Sequence, residues 1–429
     1  MIEGIIALLI FIVTLYLIFS EKLHRTIAGL FGAAAMLIAG KFFGFFSESE
    51  AIQTIDFYTL GLLFGMMILV ALLEPTGVFE FVAIKAAQLS KGQPGRLLVL
   101  LGLITTLLSM FLDNVTTVIL IAPVTILICE LLGFNPSPFL ISEALLSNTG
   151  GIATLIGDPP NVLIAAAAGL SFNDFLTHTF PIIVLVWLAA LFLLKYLFRK
   201  DLNTSPTNID GLMELKPAEV LKDGKTAAKV LIVLGLAIVF FFLEELLHIS
   251  PAFIALTAAT IAFIWVRPDP RETLSHIEWS VLVFFAALFI MVGGLENTGL
   301  LEDMAHQLAG LALQQPLLFS VLLLWLVSIL SAFLDNIPIT VAFIPVILSL
   351  AAEGINVNPF WWALAFGAGL GGNGTIIGST ANIVVASLSE RTRNPITVKL
   401  WNKRGLPVML ATLVVTTILF IITYPYLAR

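Results

Sequence analysis

Long apolar runs alternate with short polar breaks along nearly the whole chain. Stretches near 4–19, 27–43, 57–73, 97–132, 139–170, 179–198, 230–247, 251–266, 279–295, 317–352, 360–389 and 406–426 are long enough to cross or deeply enter a bilayer as helices. The two-residue alternation of a membrane β-barrel is absent from them. The pattern therefore predicts an all-α polytopic membrane protein. The first run is expected to be a helix rather than a secretory signal, because it lacks a basic start and a small-residue cleavage site before Ser20.

Polar residues inside the apolar runs carry the chemistry. An aspartate-asparagine pair occurs as Phe111-Leu112-Asp113-Asn114 and again as Phe333-Leu334-Asp335-Asn336, 222 positions on. A carboxylate at the centre of a spanning helix costs on the order of 2.5 to 3.5 kcal/mol on insertion scales. Each aspartate could simply cap the helix that follows, but a serine caps without a charge. A binding role for ions or substrate is the stronger reading.

The halves correspond beyond this pair. Ile55-Asp56-Phe57 matches Ile277-Glu278-Trp279, the Glu74 region matches that of Glu296, and Pro123 matches Pro345, all at the offset of 222. At an offset of 221, Gly151, Thr154, Gly157 and Asn161 find Gly372, Thr375, Gly378 and Asn382. The chain thus reads as a first repeat over 1–198, a cytoplasmic linker over 199–229 and a second repeat over 230–429. Each repeat is expected to hold three spanning helices, a short amphipathic arm (78–90; 300–313), a re-entrant hairpin (97–132; 317–352), a broken helix (139–170; 360–389) and a last spanning helix.

With re-entrant hairpins each repeat crosses five times, and an odd count inverts the second copy. The charge bias agrees with that parity. Starting Met1 outside puts Lys22, Arg25 and the other basic loops on one face, 19 of the 21 Lys and Arg, leaving Lys41 and Arg429 opposite.

The candidate site gathers hairpin tips and helix breaks. Asp113, Asn114, Thr116 and Thr117 offer oxygens at the first tip, and Asp335, Asn336 and Thr340 at the second. The broken helices contribute Asn148, Thr149, Gly151, Thr154, Gly157, Asp158 and Asn161, then Asn373, Gly374, Thr375, Gly378, Ser379, Thr380 and Asn382. Glycines loosen these helices and Pro159-Pro160 deny amide donors, so each should unwind near its middle. Freed carbonyls there could ligate a cation and half-helix N-termini could face an anion. A packing kink is the plainer alternative. Asp113, Asp158 and Asp335 are three intramembrane carboxylates, with no Lys or Arg expected at their depth. Such a centre suits Na+ or protons, with Na+ expected near Asp113, Asn114, Asp335 and Asn336.

Other polar residues are weaker candidates. Glu74 and Glu296 are expected near the interface, His178 in a solvated turn, Cys129 in packing, and Trp187, Trp265, Trp279, Trp361, Trp362 and Trp401 as interfacial anchors.

Composition narrows the class. A chain 59% hydrophobic and 11% charged is no water-soluble domain, and a lone cysteine rules out a disulfide framework or multi-thiol metal site. The net charge of −7 gives no sign of a nucleic-acid partner. The glycine string at 367–378 is not a phosphate loop, since no strand-turn-helix surrounds it and no lysine follows. No zinc motif or nucleophile elbow is present, so an enzyme is not expected, and no cofactor beyond a coupling ion.

The strings Leu62-Leu63-Phe64-Gly65-Met66-Met67-Ile68-Leu69-Val70, Phe111-Leu112-Asp113-Asn114-Val115-Thr116-Thr117, Ile156-Gly157-Asp158-Pro159-Pro160-Asn161 and Leu370-Gly371-Gly372-Asn373-Gly374-Thr375 resemble the ion transporter superfamily. Within it they resemble the P-protein-like branch, grouped with arsenite permeases and Na+/H+ antiporters of the ArsB/NhaD type. That resemblance implies a homodimer in the plasma membrane of a prokaryote, with scaffold and transport domains that move as an elevator. Dicarboxylate carriers of the superfamily bear Ser-Asn-Thr at the hairpin tips, where this chain has Asp113-Asn114-Val115 and Asp335-Asn336-Ile337. The added negative charge argues against a dicarboxylate substrate.

The expected function is secondary transport of a small inorganic solute coupled to protons or Na+, with arsenite or antimonite efflux by proton antiport leading. Arsenous acid is uncharged near neutral pH and suits an acidic pocket. A Na+/H+ antiporter is the runner-up, and an ion channel on the same fold is the alternative of another class. Membrane lipid is an expected partner, and an ATPase partner is left open.

Overall fold

The structure, a computed structural model, describes residues 2–19 and 23–429, the side chains of 19 and 302–305 excepted. Met1, Ser20 and Lys22, which entered the arguments on topology and cleavage, lie outside the described residues. Among the described residues every regular element is a helix. Eight are long and apolar enough to cross a membrane, among them Arg25–Phe43, Phe180–Leu197, Gly224–Phe242 and Val398–Leu427. Shorter apolar helices such as Ile2–Phe19, Pro251–Val266 and Pro94–Ser109 join them.

Local chemistry sets the boundaries. Pro94, Pro159, Pro251 and Pro316 open helices where a missing amide donor costs nothing. Asp113 and Asp335 cap the second arms of two hairpins, Pro94–Ser109 with Asn114–Leu132 and Pro316–Phe333 with Asn336–Ala352. Pro123 and Pro345 lie inside those second arms. Ser137–Gly151 stops before Pro159–Ala168, and Asn358–Gly371 passes through a short 3-10 turn, Ile376–Gly378, into Thr380–Ser389. The arms Val78–Ser90 and Leu300–Gln314 are helical as expected.

The hairpins and broken helices pack crosswise. The first arm of each hairpin lies on the first half of the broken helix in its own half of the chain, Pro94–Ser109 on Ser137–Gly151 and Pro316–Phe333 on Asn358–Gly371. The second arm packs on its own half and also reaches the opposite one. Asn114–Leu132 packs on Thr380–Ser389, and Asn336–Ala352 on Pro159–Ala168. The remaining helices form their own contacts, with Phe57–Leu73 against Pro251–Val266, and Arg25–Phe43 between Ile2–Phe19 and Trp279–Glu296.

The polar stretch 199–229 is folded against the rest. It carries helices Ile209–Glu214 and Pro217–Val220, and the Gln88 amide donates to the carbonyls of Leu212 (3.2 Å) and Leu215 (2.7 Å). Several tryptophans depart from the interfacial expectation. Trp361, Trp362 and Trp401 are buried, and the Trp187 ring donates to Thr106 Oγ1 at 2.7 Å, whereas Trp265 and Trp279 are exposed. His178 is no free turn residue either. Its ring stacks between those of Trp362 and Tyr426, with centroids 4.7 and 4.5 Å away.

Candidate functional site

Both hairpin tips and both helix breaks meet around one cavity of about 240 Å³. Asp113, Asn114, Thr116, Asp158, Asp335, Asn336, Ser379 and Thr380 line it. At the first tip, Asp113 accepts from the amides of Val115 (3.1 Å) and Thr116 (3.0 Å) and from the Thr116 hydroxyl (3.3 Å). It is thus a helix cap and a cavity wall at once, so the two readings of this residue are compatible. Asp335 caps its helix through the Ile337 amide at 3.2 Å.

The cross-half packing brings Asp158 into this group. Asn336 Nδ2, from the second hairpin, donates to Asp158 Oδ2 of the first broken helix at 2.9 Å. Behind the cavity, Asn148 acts as a hub. It accepts from Asn114 (3.1 Å) and Ser379 (3.1 Å) and donates to Asn373 (3.0 Å) and Asn382 (3.1 Å). Asn373 also donates to Thr149 Oγ1 at 3.3 Å. The first hairpin and both broken helices therefore share one buried amide network.

The helix breaks are internally satisfied. Asn161 Nδ2 donates to the carbonyls of Gly151 (3.0 Å) and Thr154 (2.8 Å), and Asn382 Nδ2 repeats this with Gly372 (2.8 Å) and Thr375 (2.9 Å). The Thr154 hydroxyl donates to the Met110 carbonyl and the Thr375 hydroxyl to that of Ala332, tying each break to its own hairpin. The carbonyls of Gly151, Thr154, Gly372 and Thr375 are thus engaged by protein amides, and these four residues lie outside the cavity lining. The glycines serve close approach: a Cβ on Gly157 would stand 2.6 Å from the Gly151 carbonyl oxygen, and one on Gly378 2.7 Å from that of Gly372.

Some predicted residues do not face the cavity. Thr340 bonds back to the Asn336 carbonyl at 2.9 Å, and Gly374 packs behind the network. Thr117 is buried with its hydroxyl unpartnered.

One expectation is corrected. The site does contain a guanidinium: Arg25 Nη1 lies 3.3 Å from Asp335 Oδ2 and 3.0 Å from Thr380 Oγ1, and Thr380 donates to the same carboxylate oxygen at 2.9 Å. Arg25 opens the helix Arg25–Phe43, and sequence reading assigned it only to a charged loop. Glu278 and the half-exposed Glu74–His276 pair (3.2 Å) also line the cavity. Glu278 had a signal in its repeat match to Asp56. Arg25 had none, because its approach depends on packing between distant helices.

Comparison with known proteins follows this geometry. Residues 15–367 match the family described as Citrate transporter. The chain belongs to that family. It is 39% identical to the 46 kDa membrane protein of Mycobacterium leprae over 98% of this chain and 99% of that one. It is 38% identical to the uncharacterized transporter Rv2685 of Mycobacterium tuberculosis over 98% and 99%. The human P protein is 35% identical over 95% of this chain, which spans 57% of that longer protein. The crystal structure of the Alcanivorax borkumensis YdaH transporter shares the fold, with a TM-score of 0.58 at 19% identity over 86% of each chain. The chain is accordingly a multi-pass membrane protein of a transporter family. Its cavity joins the carboxylates of Asp113, Asp158 and Asp335 with neutral amide and hydroxyl groups of Asn114, Asn336, Ser379 and Thr380.

Proposed function

We propose that the protein is a secondary active transporter that moves a small inorganic solute in exchange for protons or Na+. The convergence of Asp113, Asp158 and Asp335 on one cavity carries this reading. Asp113 and Asp158, which have no ion-pair partner among the described residues, repel each other and lose hydration in apolar surroundings, so binding of a proton or Na+ relieves a cost that the empty site bears. A solute entering beside the cation meets hydroxyls and amides. Arsenite or antimonite leaving by proton antiport is the leading case, and Na+/H+ exchange the runner-up; an ion channel would need a continuous pore.

The architecture proposed for this activity is two inverted-topology repeats, 1–198 and 230–429, joined by a cytoplasmic linker. The paired bonding of Asn161 and Asn382 supports the duplication. We further propose a homodimer in a prokaryotic plasma membrane, with the hairpins and broken helices moving as the transport domain of an elevator.

The Arg25–Thr380 corner favours a second reading, in which a carboxylate-bearing solute such as citrate docks on the guanidinium. A free trianion would still meet three aspartates, which keeps this reading second. Proton movement in proteoliposomes, followed with a pH-sensitive dye as Na+, arsenite, antimonite or citrate is added separately, tests the set. A signal with arsenite or antimonite supports metalloid exchange, one with Na+ alone supports the antiporter, and one with citrate the carboxylate reading. No signal with any of them overturns proton coupling of these solutes.

A further inference from the structure

The three cavity aspartates are not equally compensated. Asp158 receives the neutral Asn336 amide, and Asp113 receives hydrogen bonds only from the start of its own helix and feels Arg25 through space rather than in an ion pair. Among the described residues no Lys or Arg forms an ion pair with either. Asp335 alone is paired, and its cation comes from elsewhere in the fold. Arg25 belongs to a helix packed on Ile2–Phe19 and Trp279–Glu296, outside the hairpins and broken helices. Its charged end lies near the Phe284 ring, 5.9 Å from the centroid, which adds a cation–π contact to the hold.

The guanidinium takes the position that a bound cation would need. It contacts Asp335 Oδ2 and Thr380 Oγ1, two oxygens that are themselves hydrogen-bonded to each other at 2.9 Å. Such a pair of adjacent oxygens is a natural start for Na+ coordination, and a Na+ and a guanidinium cannot both occupy it without strong repulsion. Arg25 and Asp335 keep 23% and 19% of their side-chain exposure, so the pair is not sealed from solvent.

We propose that Arg25 is a tethered counter-cation that fills the second hairpin tip and excludes a mobile cation from Asp335. The exchangeable cation then belongs to Asp113 and Asp158, and Arg25 sets how many cations the site takes. This assignment rests on the reading of the cavity as a cation-coupled site, but it predicts something separable from it.

The test is the number of radioactive Na+ ions bound per protomer of purified protein at alkaline pH, where the carboxylates are ionised. Arg25→Gln is expected to bind one more Na+ than the wild type, and Arg25→Lys the wild-type number. Arg25→Met, which keeps an apolar stem against Phe284, serves if the glutamine variant does not fold. Adding Asp335→Asn to the neutral variant should remove the extra ion. An unchanged count in the neutral variants overturns the role of Arg25, as does an extra ion that survives Asp335→Asn. The wild-type count speaks separately to the native cation site: a wild type that binds no Na+ alongside a variant that binds one would leave the counter-cation in place and overturn native Na+ coupling.

Discussion

Glu244 shows how one buried carboxylate sets a pH response away from the cavity. It lies in the short helix Glu244–Leu247 and accepts from the Phe172 amide at 2.5 Å, while its second oxygen is buried without a partner. Burial, with a smaller push from Glu245 and Asp174, raises its pKa from 4.5 to about 7. The folded protein then binds this proton more tightly than the unfolded chain, so stability falls as pH rises through the window from 4.5 to 7. Because the cluster borders the exposed Glu245, we expect the effect to be roughly 1–2 kcal/mol. Melting curves in detergent at either end of the window should differ more for wild type than for Glu244→Gln; equal differences would refute the assignment. Asn148 makes a second case. One interhelical bond in a membrane contributes only about 0.6 kcal/mol, but Asn148→Leu strands four partners at once. A loss of roughly 1–3 kcal/mol is expected, read as a lower melting temperature, and a silent variant would deny the hub its weight.

Helix breaks depend on both residue type and neighbours. Glycines and Pro159-Pro160 mark the middle of 139–170 as prone to unwind; the chain leaves the helix over 152–158, and Asn161 takes the carbonyls of Gly151 and Thr154 there. Gly157→Ala forces a Cβ against two backbone oxygens, at 2.6 Å from Gly151 and 2.7 Å from Ser109. A destabilisation of about 1–3 kcal/mol is expected. Gly235→Ala, with nothing within 4 Å of its new methyl, is the control and should melt no lower than wild type. Equal melting of the two variants would show that the close approach does not constrain the break. The hairpins were legible for a simpler reason: an Asp-Asn pair interrupts each apolar run, and a polar tip at that depth marks where the backbone turns.

The crosswise packing joins the two halves into one site. The second hairpin holds Asp158 through Asn336, and the first hairpin holds the shared asparagine hub through Asn114. Loss of either tip should therefore disable the whole cavity rather than half of it. Asp113→Asn, which removes a carboxylate left for the exchangeable cation, and Asp335→Asn, which leaves Arg25 unpaired beside the cavity, are each expected to abolish the proton signal in proteoliposomes while leaving the oligomeric state on size exclusion unchanged. Full activity in both would remove these tips from the coupling mechanism.

Hydrophobic run length, paired polar interruptions and the matched Gly, Thr and Asn positions were sufficient to place the helices, the hairpin tips and the breaks. These features act over a few residues, through backbone hydrogen bonding and the cost of polar groups in an apolar medium, so they are written in the order of the chain. Which half covers which, that the break carbonyls are already taken by Asn161 and Asn382, and that Arg25 pairs with an aspartate 310 residues away followed only from tertiary packing. A charge near a helix end carries no local mark of its partner. Its surroundings are set when separate helices close on one another, and that closing decides how many of the cavity's charges remain for a mobile ion.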